Sequence, residues 1–214
     1  MHRRKYGIIF DMDNTLLHSV INFSLMKQRA CEIMDKYGIS HDASLSVSAM
    51  VNTAHTTEAA KEEIWREIQQ IEDIGGKNAE LEPGIKELLP KLHSEFILAI
   101  LTNNTQKSAV DMLAANKIQN YFDMAAGRET VPEAKPSPAG YIHIMKSFPD
   151  KTRWLAIGDA LIDAQGAIGA GIPFISYEGS RQENWANHGI TPPLTFSRWD
   201  KETYGILRKF LLSL

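Results

Sequence analysis

The sequence has almost no cysteine and no long apolar run, and each shortage excludes a class of protein. Cys31 is the single cysteine among 214 residues, which excludes an intrachain disulfide and suits a reducing compartment. No apolar stretch approaches the roughly 20 residues that a membrane-spanning helix needs. We therefore expect a cytoplasmic protein without a membrane partner.

The sequence also lacks a large excess of charge of either sign. The chain carries 23 basic and 26 acidic side chains, a formal charge of -3, and a pI near 6.2. This balance gives no reason to expect a nucleic-acid partner. The seven histidines show no spacing typical of zinc ligands. The length allows one domain with an insertion, or two small domains.

Apolar runs of strand length alternate with helical patterns along most of the chain. The runs lie at residues 8–10, 96–101, 154–157 and 172–176. Between them, apolar residues recur three and four positions apart, which is typical of amphipathic helices. Continuous apolar strands alternating with helices predict an α/β fold with a doubly wound parallel sheet.

One long interval breaks this alternation. It contains helical patterns at residues 20–38, 42–52 and 57–74, shows no strand signal, and ends at Gly75-Gly76. Such a segment is much too long for an ordinary strand-to-helix loop. We predict an α/β core formed by residues 1–17 and 80–214, with an inserted all-helical domain at residues 18–79.

Polar side chains follow three of the predicted strands. In chain order these residues are Asp11 and Asp13, then Thr102 and Asn103, then Asp159 and Asp163. The carboxyl ends of parallel strands lie at one edge of a sheet, so we expect these side chains to converge. Two carboxylates as close as Asp11 and Asp13 repel unless a cation lies between them or one is protonated.

This set of side chains suits magnesium and phosphate. Carboxylate oxygens are the ligands that Mg²⁺ prefers. Thr102 and the adjoining N–H groups can bind phosphate oxygens, and Lys135, close to two prolines, can balance their charge. Because Asp, Asn and Thr are also ordinary turn residues, a solvated turn at residues 11–15 stays open at this point.

Four motifs in order resemble those of the haloacid dehalogenase-like hydrolase superfamily, and the resemblance covers essentially the whole chain. They are Asp11-Met12-Asp13-Asn14-Thr15, Leu101-Thr102-Asn103, Lys135, and Gly158-Asp159-Ala160-Leu161-Ile162-Asp163. The resemblance implies a Rossmann-like core and a nucleophile, Asp11, that attacks phosphorus to form an aspartyl-phosphate. It also implies that Asp13 protonates the leaving oxygen and then activates water.

The same resemblance implies a metal site and a phosphoryl site. The implied Mg²⁺ ligands are Asp11, Asp13 through its backbone carbonyl, Asp159, and Asp163 in a supporting position. The implied phosphoryl-binding groups are Thr102, Asn103 and Lys135, of which Thr102 and Lys135 also assist catalysis. The expected function is a Mg²⁺-dependent phosphatase of a small phosphorylated metabolite, acting as a monomer or weak dimer.

The helical insert lies where this family places its C1 cap, a lid over the active site. In this respect the chain is similar to the phosphoglycolate phosphatase and β-phosphoglucomutase branch. The candidate specificity segment, residues 46–57, contains no Lys or Arg. His18 departs from the family pattern, because relatives often carry an acid just past the first motif.

Two alternatives stay open. A sugar phosphomutase uses the same core residues but returns the phosphoryl group to a sugar. A non-catalytic phospho-ligand-binding module would also use an aspartate cluster, a Thr and a Lys, although the Asp11/Asp13 pair and the helical insert count against it. A dehalogenase is disfavoured because those relatives lack the second acid, and a phosphonatase because no lysine is evident in the insert near the site.

Overall fold

The chain divides into two compact units. The computed structural model describes residues 4–53, 55–148, 152–179 and 183–214. One unit combines Met1–His18 with Ala79–Leu214, and the other is Ser19–Asn78. Each limit lies one residue from the bounds predicted for the α/β core and the helical insert.

The larger unit is built on a six-stranded sheet. In chain order the strands of this unit are β1 (Tyr6–Phe10), β2 (Leu17–His18), β3 (Glu80–Leu81), β4 (Ile97–Leu101), β5 (Met124–Ala126), β6 (Arg153–Gly158), β7 (Phe174–Tyr177) and β8 (Thr195–Phe196). Two of them, β2 and β3, pair with each other outside the six-stranded sheet. The sheet has the order β5-β4-β1-β6-β7-β8, and its neighbouring strands are all parallel. The strand order reverses beside β1, as in doubly wound nucleotide-binding folds, so the predicted fold class is confirmed.

Helices lie between strands in the larger unit and form the regular structure of the described part of the smaller one. They are α1 (Phe23–Lys36), α2 (Val47–Val51), α3 (Glu58–Gly76), α4 (Ile85–Glu95), α5 (Gln106–Ala115), α6 (Ala139–Lys146), α7 (Leu161–Gly169) and α8 (Lys201–Ser213). The first three belong to the smaller unit. None of the helices in the described ranges has both the length and the apolar character needed to cross a membrane.

The register of the central strands determines where their polar ends lie. Phe10, the last residue of β1, pairs with Ile100 of β4 and with Ile157 of β6. Ile9 belongs to a buried cluster that also contains Tyr141 of α6 and Ala164 of α7, so these helices cover one face of the sheet. The residues that follow β1, β4 and β6 therefore emerge side by side at one edge.

In the smaller unit, α1 packs against α3 through apolar residues spaced along each helix. The predicted stop at Gly75-Gly76 is wrong, because α3 continues through both glycines. A Cβ on Gly75 would lie 2.6 Å from the Cα of Ile21, so glycine is needed there for close backbone approach. The predicted helix at residues 42–52 is only α2, since the Asp42 side chain accepts the Ser44 N–H (2.8 Å) in a turn.

Three two-residue strands were not predicted. β2 pairs antiparallel with β3, joining Leu17 to Leu81 and His18 to Glu80, and β8 adds to the sheet edge beside β7. A strand of two residues is too short to show any periodicity in the sequence. The pairing of β2 with β3 brings the two chain segments that flank the smaller unit together within the core.

Candidate active site

The ends of β1, β4 and β6 hold most of the predicted site residues. Asp11 follows β1 directly, Thr102 follows β4, and Asp159 follows β6. The Asp11 N–H donates to the carbonyl of Ile157 in β6 (2.8 Å), which anchors the first acid to the neighbouring strand. All three side chains are buried, at 9%, 2% and 4% exposure. Because Asp11 is buried, the alternative of a solvated turn at residues 11–15 does not hold for this side chain.

Lys135 lies between two carboxylates. Its Nζ donates to Oδ1 of Asp11 and to Oδ1 of Asp163, both at 2.6 Å, and its side chain is 2% exposed. Desolvation lowers the pKa of Lys135, but the charges of Asp11 and Asp163 raise it more, so the net shift is well upward. The ammonium group therefore stays protonated and acts as the counterion of the acidic cluster.

The predicted phosphate-binding residue Asn103 uses its side chain in another way. Its Nδ2 donates to the carbonyl of Lys135 and its Oδ1 accepts the N–H of Lys135, both at 2.9 Å. These two hydrogen bonds attach the backbone of Lys135 to Asn103 in the loop after β4. Because the amide is committed to Lys135, any contact of Asn103 with phosphate would have to come from its backbone.

Asp163 has a partner for each oxygen. Oδ1 accepts from Lys135, and Oδ2 accepts the Ala160 N–H (3.0 Å) at the start of α7. An acid in the first turn that binds the N-cap N–H stabilises the helix and is itself held in place. The hydroxyl of Tyr141 donates to the Asp163 carbonyl (3.2 Å) and fixes the residue further.

Three of the acids form a group that fits a divalent cation. Asp11, Asp159 and Asp163 each place one carboxylate oxygen within 4.8 Å of the others, and all three are buried. Burial raises the pKa of Asp11 well above its ordinary value, repulsion from Asp163 adds to this, and Lys135 counteracts it in part. Excess buried negative charge with oxygen donors is the chemistry that suits Mg²⁺.

The carboxylate of Asp13 is not part of that group. Its Oδ2 accepts a hydrogen bond from Nδ2 of Asn104 (2.6 Å), and both side chains are buried. Asn104 was not among the predicted site residues, although it is the third of the consecutive polar residues that follow a wholly apolar strand. The Asp13 side chain therefore lies against Asn104 and is not among the three grouped carboxylates.

Thr102 is held by its own loop and by the end of β5. Its N–H donates to the Ala126 carbonyl (3.0 Å), and its Oγ1 accepts the N–H of Asn104 (3.1 Å). A hydroxyl that accepts in this way keeps its own hydrogen for donation. The Thr102 hydroxyl therefore accepts one hydrogen bond within the protein and can still act as a donor.

Other predicted positions lie outside this arrangement. His18 is exposed on β2, opposite Glu80. In the candidate specificity segment, Ser46 and Thr57 cap α2 and α3 by accepting backbone N–H groups. Residue 54 of that segment lies outside the described residues. Helix capping explains the small polar residues at both ends of the segment.

Comparison with known proteins identifies relatives along most of the chain. A family model described as haloacid dehalogenase-like hydrolase matches residues 8–177. A phosphoglycolate phosphatase from Vibrio vulnificus is 31% identical over 183 residues, covering 77% of this chain and 79% of that protein. These matches confirm the resemblance drawn from the four motifs.

Solved structures show the same fold. A predicted phosphoglycolate phosphatase from Haemophilus somnus 129pt aligns over 98% of this chain and 99% of its own, with a TM-score of 0.66 and 21% identity. A candidate β-phosphoglucomutase from Thermotoga maritima aligns over 96% and 100%, with a TM-score of 0.61 and 19% identity. At this level of identity the structural likeness concerns the fold alone.

Proposed function

The chain belongs to the haloacid dehalogenase-like hydrolases and is a phosphatase of that family, and from this premise we propose that it hydrolyses a small phosphorylated metabolite through an aspartyl-phosphate. The observation that carries the proposal is the buried group of Asp11, Asp159 and Asp163 with Lys135 against it. Burying these charges costs free energy of desolvation, so the group contributes little net stability to the fold. Such a cost is typical of a functional site.

In the proposed first step, a carboxylate oxygen of Asp11 forms a bond to phosphorus as the ester P–O bond breaks. Asp13 gives a proton to the departing oxygen. In the second step, Asp13 takes a proton from water, whose oxygen attacks phosphorus and releases Asp11 and inorganic phosphate. Lys135 and the Thr102 hydroxyl would stabilise charge on the phosphoryl oxygens, and a carboxylate nucleophile divides one difficult displacement into two.

The acids of the site also suit the expected metal. Mg²⁺ would be held by the carboxylates of Asp11 and Asp159 and the backbone carbonyl of Asp13, where it would supply positive charge opposite the phosphoryl oxygens. Asp163 already binds Lys135 and the N–H of Ala160, so it would have a supporting position at the metal site. The helical unit would serve as the cap that selects the substrate. The named relative makes phosphoglycolate the first substrate to test.

The test is phosphate release from a panel of phosphorylated metabolites headed by phosphoglycolate, with Mg²⁺ or with a chelator. We expect Mg²⁺-dependent release by the wild type and none above background by Asp11→Asn, which keeps the shape of the side chain. A folded Asp11→Asn protein with wild-type activity would refute the nucleophile. A folded wild type that releases phosphate from no ester would refute the proposed activity.

The phosphomutase alternative has its own outcome in this panel. Conversion of a sugar monophosphate to its isomer, primed by a sugar bisphosphate and faster than phosphate release, would favour the mutase. Binding of phosphorylated ligands without any turnover would favour the non-catalytic module. The cytoplasmic location and the monomeric or weakly dimeric state stay predictions.

A further inference from the structure

Asn104 is a buried residue outside the four motifs that contacts the acid–base carboxylate. Its Nδ2 lies 2.6 Å from Oδ2 of Asp13, although the two residues are 91 positions apart. We propose that Asn104 is the positioning residue for Asp13: its amide N–H binds Oδ2 and holds the carboxyl group in one orientation for proton transfer. This inference rests on the proposed function and adds a residue that lies outside the predicted site.

The chemistry of the two side chains determines which amide atom faces Asp13. When Asp13 is ionised, its carboxylate only accepts hydrogen bonds, and the amide oxygen of asparagine also only accepts. Two acceptors 2.6 Å apart would repel, whereas an N–H donor at this distance forms a short, charge-assisted hydrogen bond. The amide nitrogen therefore faces Asp13.

The backbone of Asn104 holds the side chain in place. Its N–H donates to Oγ1 of Thr102 (3.1 Å), and its carbonyl accepts the N–H of Arg128 (3.0 Å). The side chain is 3% exposed and so has little freedom to move. The same loop thus positions the phosphate-binding hydroxyl and the acid–base carboxylate relative to each other.

The proton balance shows what this contact does in each step. While the amide N–H binds Oδ2 of Asp13, the protonated carboxyl group keeps one orientation. That proton passes to the ester oxygen as its bond to phosphorus breaks and the Asp11–phosphorus bond forms. In the second step, the Asp13 carboxylate receives a proton from the attacking water, whose oxygen bonds to phosphorus as the bond between Asp11 and phosphorus breaks. A carboxyl group free to rotate would have the orientation for proton transfer for only part of the time.

The test exploits leaving groups that differ in their need for a proton. An alkyl phosphate expels a basic alkoxide and requires general acid assistance, whereas p-nitrophenyl phosphate expels a stabilised phenolate. The alkyl ester is the one that the wild type hydrolyses fastest in the metabolite panel. The measured quantity is kcat/KM with Mg²⁺, because it reports steps up to the first irreversible one and excludes the later hydrolysis of the aspartyl-phosphate.

We expect Asn104→Leu, which is similar in size but has no donor, to lose about 10²-fold in kcat/KM on the alkyl ester, within the range that general acid–base catalysis contributes. On p-nitrophenyl phosphate it should stay within about 3-fold of the wild type, because that leaving group needs no proton. Asn104→Ser keeps a polar side chain too short to reach Asp13 and should show the same selectivity if the leucine variant does not fold.

Asn116 supplies the matched control. Its Nδ2 also donates to protein oxygens, the carbonyls of Ala79 (2.9 Å) and Met112 (3.0 Å), but it lies at the end of α5. Asn116→Leu should leave the ratio of the two kcat/KM values unchanged. In a double-mutant cycle with Asp13→Ala, Asn104→Leu should cause no further loss on the alkyl ester, because both changes remove the same function.

The outcomes separate the two proposals. If the wild type hydrolyses neither ester, the proposed function fails and the positioning role fails with it. If the wild type hydrolyses both and Asn104→Leu slows both equally, or neither, the positioning role alone is refuted. A full additional loss in the Asp13→Ala background would also refute it, because Asn104 would then act independently of Asp13.

Discussion

Replacing Lys135 by methionine would leave two buried carboxylates without the ammonium group that they share. Nζ lies 2.6 Å from Oδ1 of Asp11 and of Asp163, and the lysine side chain is 2% exposed. Methionine has a similar length and fills the space, so the main loss is electrostatic. Removing one partner of a buried ion pair typically costs about 3–5 kcal/mol, and we expect this loss in the free energy of unfolding at neutral pH without metal.

Urea denaturation followed by tryptophan fluorescence measures this loss. Trp154, Trp185 and Trp199 lie in the core unit, and Trp65 lies in the smaller one, so a Trp65→Phe background restricts the signal to the core. Lys107→Met is the control, because Lys107 and its partner Asp111 are both largely exposed. Exposed helix pairs of this kind contribute about 0.3–0.5 kcal/mol, so the control should change little.

The pH dependence distinguishes lost charge pairing from lost packing. Lys135 lowers the pKa of Asp11 in part, so that pKa rises further in the variant. A group whose pKa is raised by folding contributes stability at low pH and loses it as pH rises through that pKa. The deficit of Lys135→Met should therefore be smaller at pH 5 than at pH 8. A loss below about 1 kcal/mol, or one independent of pH, would refute the assignment of a buried charge pair.

Three further predictions concern the metal, a turn and a tyrosine. Mg²⁺ at 100 times its dissociation constant should raise the free energy of unfolding by about 2.7 kcal/mol, and a thermal melt should show this shift in the wild type but much less in Asp159→Asn. Asn14 has φ of 58°, so Asn14→Val should lower the free energy of unfolding by about 1–2 kcal/mol, whereas Asn14→Gly should be tolerated; equal urea midpoints would contradict this. Burial, and a hydrogen bond to Glu82, raise the pKa of Tyr177 above its ordinary value of 10.0. The folded state thus retains a proton that the unfolded state loses, so stability should fall as pH rises above about 10, and less steeply in Tyr177→Phe.

The fold class and the positions of the acids could be predicted because they depend on local patterns. A continuous apolar run such as residues 97–101 has few alternatives to a buried parallel strand, and the polar residue after it marks the strand end. The order of such runs along the chain predicts the doubly wound sheet, and with it the convergence of Asp11, Thr102 and Asp159. The limits of α2 and α3 could not be predicted, because a side-chain turn at Asp42 and close packing at Gly75 outweigh periodicity.

The order of residues along the chain is enough to identify the chemical groups and the strand that each group follows. The pairing of those groups depends on the folded chain. Asn103 binds the backbone of Lys135, and Asn104 binds Asp13, across 32 and 91 positions. These two asparagines are the same residue type and are adjacent in the chain. They differ in the direction that the loop after β4 gives to each side chain. Direction depends on packing between distant segments, and for that reason no local pattern in the sequence could distinguish the two roles.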